Sequence, residues 1–149
     1  MKTNNDSEWM LEAYKLALQA QKNNEVPVGA IIVSDDETVI GSGYNQMIQA
    51  NDPTAHAEIV AIRQAAHNMH NYRLENATLY VTLEPCTMCV GAISHARIKR
   101  LVFAARDFKA GAAGSLYNLL PHIQVDEGYL QQQCSRLLIN FFKLRRLRS

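Results

Sequence analysis

Cysteine is scarce in this chain. Three thiols among 149 residues, unevenly spaced, are too few for the disulfide framework of a secreted domain. A reducing compartment fits, with the thiols left for metal or redox chemistry, and a cytoplasmic protein is the expectation. No apolar run approaches bilayer-spanning length, and the opening "MKTNNDSEWM" has no apolar core ahead of a cleavage-like site. Neither a membrane partner nor export is therefore expected. An excess of charge of one sign is also missing. Fifteen Lys and Arg against 14 Asp and Glu leave a formal net charge of +1, so an evenly basic nucleic-acid binder is excluded and any phosphate contact must come from a local patch. Four prolines and seven glycines form no linker, and there is neither a low-complexity tract nor an internal repeat. One domain over residues 1–149 is expected, long enough to bury a core unaided.

What is present is periodicity. From Ser7 to about Asn23, Trp9, Met10, Ala13, Leu16, Ala17 and Ala20 recur at helical spacing behind Asp6 or Ser7 as cap. "VGAIIV" and "VIGSGY" flank the polar cluster "SDDET" and read as an antiparallel hairpin. Asp52 and Pro53 supply cap and first-turn residue for a second helix running to about His67, with His56 and Glu58 in its first turns. "ATLYVTLEP" alternates as a strand, and Pro85 opens a third helix. "RLVFAA" reads as a buried strand and "HIQV" as a weaker one. A last helix carries Leu130, Cys134, Leu137, Leu138 and Phe141 on one stripe. Five strands alternating with helices, the first two in a hairpin, predict a three-layer α/β/α sandwich around a mixed sheet.

Chemistry concentrates in two places. In "EPCTMC", Cys86 and Cys89 lie three apart at a helix start, where the positive helix end favours thiolates and one face presents both sulfurs. Alone, this CxxC pair could equally be a redox dithiol. His56 shifts the balance, because two helices side by side on one sheet face would bring it beside both sulfurs. Two thiolates and a neutral imidazole suit Zn2+ and leave a fourth tetrahedral position for water. Glu58, two residues on, could face the substrate side of such a metal and move a proton between water and a leaving group. A structural zinc site would require a fourth protein ligand instead.

"HAE" at 56–58 with "PCTMC" at 85–89 resembles the signature of the zinc-dependent nucleobase deaminases, the cytidine/deoxycytidylate deaminase superfamily. "EVPVGA", "DPTAHAEI", "NYRL", "TLYVTLEPC", "RDFKAGAAGSL" and "FFKLRR" extend the likeness over most of the chain, to the bacterial tRNA-specific adenosine deaminases. This resemblance implies a cytidine deaminase-like fold with a mixed five-stranded sheet. It implies one zinc per subunit held by His56, Cys86 and Cys89, with Glu58 as proton shuttle. It further implies that Asn45 orients the target nucleoside and that Asp107 lies near the ribose of a flipped nucleotide, where a carboxylate can accept from a 2′-hydroxyl. The implied reaction is hydrolytic deamination of adenosine to inosine at the wobble position of a tRNA anticodon stem-loop, by a homodimer. Phe108 departs from the pattern, which has a smaller residue or proline there.

Other readings stand beside these. Asn45 taken alone is an ordinary loop residue; Asp107 and Lys109 read as a solvated pair, and Gly111 and Gly114 as turn glycines. His67 and His70 are spaced like a metal pair but sit in a polar stretch, and His95 and His122 have no evident partner. Cys134 belongs to an apolar stripe. The terminal Lys143, Arg145, Arg146 and Arg148 suit a solvated helix end, or else meet phosphates. A guanine or other free-base deaminase shares the metal motif, although the loop "RDFKAGAAGS" and the basic tail are unneeded for a small substrate. A non-catalytic zinc module is the third reading.

Overall fold

The computed structural model describes residues 5–148, so residues 1–4 of the opening stretch lie outside the described residues. Helix α1 (Asp6–Lys22) precedes the hairpin of β1 (Gly29–Val33) and β2 (Val39–Tyr44). Then come α2 (Ala57–Met69), β3 (Thr78–Leu83), α3 (Thr87–His95), β4 (Arg100–Ala105), β5 (Gln124–Glu127) and α4 (Gln131–Arg148). The strands form one five-stranded sheet in the order β2-β1-β3-β4-β5. β1 is antiparallel to both β2 and β3, whereas β3, β4 and β5 run parallel. The mixed sheet of the sequence reading is therefore present.

Both faces of the central strands are covered. That is why "GAIIV" and "RLVFAA" are nearly continuous apolar runs. Leu79 and Val81 of β3 join Ala57, Ala61 and Ala65 of α2 and Val90 and Ile93 of α3 in one core. Tyr80, between them in sequence, joins Met10 and Ala13 of α1 and Cys134 of α4 in the other. Close approach needs small residues: a Cβ at Gly43 would stand 2.8 Å from the Ala57 carbonyl oxygen and 2.7 Å from Val60 Cβ. Only glycine there lets the start of α2 lie against β2, and the functional site is built on that helix start.

Four boundaries differ from the sequence reading. Asp6 is not a cap; Asn5 holds the N-cap position of α1. Asp6 is buried in the first turn, taking Arg100 Nη1 and Nη2 at 2.8 and 2.7 Å and the Tyr80 hydroxyl at 2.7 Å. A bidentate guanidinium outcompetes a lone backbone N–H for that carboxylate. Asp52 accepts the Thr54 N–H at 2.9 Å, which closes a local turn and delays α2 until Ala57. Similarly, α3 begins at Thr87, two residues beyond Pro85. Leu130 sits ahead of α4 with φ +59, off the helical stripe, while Cys134, Leu137, Leu138 and Phe141 are buried as the periodicity requires.

Candidate active site

β2, β3 and β4 end along the same edge of the sheet, and the chain leaves them as Asn45, Glu84 and Arg106–Asp107. The N-termini of α2 and α3 meet at that edge, outside the carboxyl ends of the parallel strands. The shortened helices alter the roles of two residues: His56 and Cys86 are themselves the N-cap residues, with extended backbones and no side-chain capping bond. Their carbonyl oxygens accept the first helical bonds, from Val60 at 3.0 Å and Val90 at 2.9 Å, while the side chains turn to each other.

His56 Nδ1 lies 3.7 Å from Cys86 Sγ and 3.5 Å from Cys89 Sγ. The three donor atoms all fall within 4.8 Å of one another, the one such group of metal-ligating side chains among the described residues. Hydrogen bonding from the Cys89 thiol, then from His56, draws the Cys86 thiol down to about 3. Cys89 moves upward, first through its bond to Cys86 and then through burial. His56 is raised by its bond to Cys86. A soft, anionic sulfur pair with one imidazole, at the positive ends of two helices, fits Zn2+ in donor type and charge.

Glu58 is outside that group of three, yet beside it, against the Cys89 thiol. It is 4% exposed, and burial lifts its carboxyl to about 7. A carboxyl that titrates near neutrality can both take and return a proton. His56, Glu58 and Cys86 line a pocket of about 400 Å³ with Asn45, Asp107 and Glu84. Asn45 Oδ1 accepts the Ala57 N–H at 2.8 Å, which sets the amide orientation and leaves its NH2 as the group offered to the pocket. Asp107 Oδ1 accepts the N–H groups of Lys109 and Ala110, each at 3.1 Å, so this carboxylate shapes its own loop as well as lining the cavity.

Glu84 is the residue that sequence reasoning missed. Fully buried at the end of β3, it accepts the N–H groups of Asp107 at 3.1 Å, Ala113 at 3.0 Å and Ser115 at 3.0 Å, and the Ser115 hydroxyl. A Cβ on Gly111 would lie 2.4 Å from its carboxyl carbon, which gives that glycine a packing role beyond a turn. The only sequence signal was a carboxylate beside Pro85 and Cys86, in a segment otherwise read as a strand end. Phe142 of α4, outside the apolar stripe that the sequence predicts for that helix, also lines the pocket.

His67, His70, His95 and His122 are all exposed, and none enters the metal group. In the tail, Arg145 is committed: Nη2 donates to the Asn24 carbonyl at 2.8 Å, and the guanidinium lies 4.7 Å over the Phe141 ring. The side chain of Arg148 lies outside the described residues. Among the described residues no helix is long and apolar enough to cross a membrane.

This edge-of-sheet centre is of the deaminase class: the family model for the cytidine and deoxycytidylate deaminase zinc-binding region matches residues 3–105. A tRNA-specific adenosine deaminase of Haemophilus influenzae is 51% identical over 147 residues, covering 95% of this chain and 85% of that protein. A solved structure from a study of A-to-I editing by tRNA:A34 deaminases is 41% identical, covers 89% of this chain and 99% of its own, and superposes with a TM-score of 0.85. A guanine deaminase structure from Bacillus subtilis is 39% identical but covers 76% of this chain and 71% of its own, at a TM-score of 0.66. The chain belongs to the tRNA-specific adenosine deaminase family, within the zinc-binding cytidine and deoxycytidylate deaminases.

Proposed function

We propose that the protein hydrolyses adenosine to inosine at the wobble position of a tRNA anticodon stem-loop. The observation that carries this reading is the placement of Glu58, buried, outside the three-donor group and lining the same pocket as His56 and Cys86. His56 Nδ1, Cys86 Sγ and Cys89 Sγ would hold one zinc ion, which supplies a Lewis acid able to make water a nucleophile at neutral pH. Glu58 accepts the proton released as the water oxygen bonds C6 of the purine. It passes that proton to N1 as the C6–N1 π bond opens, then moves the proton of the new C6 hydroxyl to the exocyclic nitrogen, so that the C6–N bond breaks, the C6 carbonyl of inosine forms, and ammonia leaves. The Asn45 NH2 donates to the nucleoside and orients it, and Asp107 receives the ribose 2′-hydroxyl. The target base must leave its stack to enter, which a loop nucleotide does at less cost than a paired one. The working form is a cytoplasmic homodimer whose subunits together hold the RNA.

The guanine deaminase likeness supports a second reading, deamination of a free purine base in the same pocket. Incubation with total tRNA, followed by sequencing for A-to-G changes at wobble positions, separates the two. Ammonia release from guanine with no change in tRNA would overturn the first.

A further inference from the structure

β5 is a weak strand by its own sequence. It stands at the edge of the sheet with none of its four residues buried, so apolar packing does little to hold it. Arginines at the two ends of β4 pin it instead. Arg100 Nε donates to Asp126 at 2.8 Å; Arg106, just past the strand, donates from Nε and Nη2 to Glu127 Oε1, each at 3.0 Å. The second pair joins two stretches that both reach the catalytic pocket. Arg106 immediately precedes Asp107, and Glu127 immediately precedes Gly128, whose φ of +104 turns the chain toward α4 and its Phe142. Arg106 Nη1 also lies 3.5 Å from Ser115 Oγ, and that hydroxyl donates to Glu84. A continuous chain of polar contacts thus runs from the edge strand to the buried carboxylate that anchors the loop.

We propose that Arg106 and Glu127 are positioning residues for the reaction: their ion pair fixes the loop of Asp107 against the start of α4, and so sets the width of the pocket that Asp107 and Phe142 share. The inference rests on the tRNA reading above. Neither residue lines that pocket, so the pair acts through Asp107 and Phe142. The two side chains are 38% and 40% exposed, and an ion pair so open to water adds little to global stability. Its effect is local. Glu84 holds the loop from within, and Arg106 ties it outward to the turn ahead of α4. Nor is Arg106 free for a phosphate of the RNA, because all three nitrogens of its rigid, planar fork are engaged by Glu127 and Ser115.

The test compares Arg106→Gln, Glu127→Gln and the charge swap, Arg106→Glu with Glu127→Arg, in single-turnover rate at saturating anticodon stem-loop and in Kd for that RNA across salt concentrations. Each single variant should react about ten-fold more slowly, since misplaced groups cost rate, while Kd and its salt slope stay those of the unaltered protein. The charge swap should recover most of the rate. One zinc per chain and a melting temperature within about 4 °C of the unaltered protein report that the fold is intact. A weaker Kd and shallower salt slope in Arg106→Gln, with Glu127→Gln unaffected, would make Arg106 a phosphate contact and overturn the proposal. Unchanged rates in both single variants, or no recovery in the swap, would overturn it as well. Failure of the unaltered protein to deaminate the stem-loop would instead remove the tRNA reading, and amide hydrogen exchange would then decide. Faster exchange over residues 107–115 in both single variants, slowed again in the swap, would support the clasp; equal exchange in all four proteins would overturn it.

Discussion

The carboxylate of Glu84 accepts the backbone N–H of Asp107 at 3.1 Å, and so makes the junction that carries Cys86 and the loop that carries Asp107 one piece. Its other oxygen holds Ala113 and Ser115, each at 3.0 Å. Glu84→Ala would leave these donors unpaired in a buried place, each at a cost of about 1–3 kcal/mol. The expected outcome is a loss of about 3 kcal/mol in denaturant unfolding, with deamination falling by more than the folded fraction does, because the loop no longer holds Asp107 at the pocket. An unchanged rate per folded molecule would make Glu84 a purely structural residue.

Glu58→Gln tests the proton transfer. The amide keeps the volume but cannot accept a proton, so the rate should fall at least about 100-fold with zinc still bound at one ion per chain. Cys86→Ala and Cys89→Ala should each remove metal and activity together, because three protein donors leave none to spare. Elemental analysis beside single-turnover rates distinguishes the cases. Chelation of the unaltered protein should abolish activity, and added zinc should restore it.

The sequence made the strands and the metal triad legible, and the reasons are physical. A strand covered on both faces, such as "RLVFAA", has few alternatives to burial, and a His paired with CxxC has few to a metal. Helix starts were harder, because Asp52 ahead of Pro53 is a signal for a helix cap and for a closed turn alike, and only the tertiary contact of α2 with β2 decides between them. Glu84 and Asp6 were illegible for a shared reason. A carboxylate buried against donors distant in sequence, 94 residues away for Asp6 and Arg100, carries no local mark. Arg145 shows the same limit, since its bond to Asn24 spans 121 residues.

Asp107→Asn should weaken the preference for RNA over single-stranded DNA. The amide oxygen can still accept from Lys109 and Ala110, whose N–H groups lie 3.1 Å from Oδ1, so the loop survives the change. What is lost is the charged acceptor for a 2′-hydroxyl. Initial rates on matched anticodon-loop RNA and DNA oligonucleotides should show the RNA:DNA ratio falling about five-fold, the size of one charge-assisted hydrogen bond exchanged for a neutral one. An unchanged ratio would take Asp107 out of discrimination and leave it shaping the loop.

The last prediction concerns the far end of the sheet, where Asp6 ties α1 to Arg100 of β4, which also holds Asp126 of β5 at 2.7 Å. The Arg100 guanidinium holds the Asp6 carboxyl below its ordinary value of 3.8, against the opposing effect of burial. A depressed carboxyl contributes stability that is complete above its unfolded value and is lost as pH falls through the lower folded one. Asp6→Asn should therefore unfold more easily than the unaltered protein at pH 7, by about 3 kcal/mol, because Arg100 is left with an uncompensated share of buried charge. For a chain of this length that is roughly 6 to 12 °C in melting temperature. The gap should stay constant down to about pH 5 and then close as pH falls below 4, as the native carboxylate takes up the proton that the variant never needed. Melting curves of both proteins across that range, with zinc present throughout, provide the measurement. A gap that did not narrow in acid would mean that the bond from the Tyr80 hydroxyl, and not the ion pair with Arg100, accounts for what Asp6 contributes.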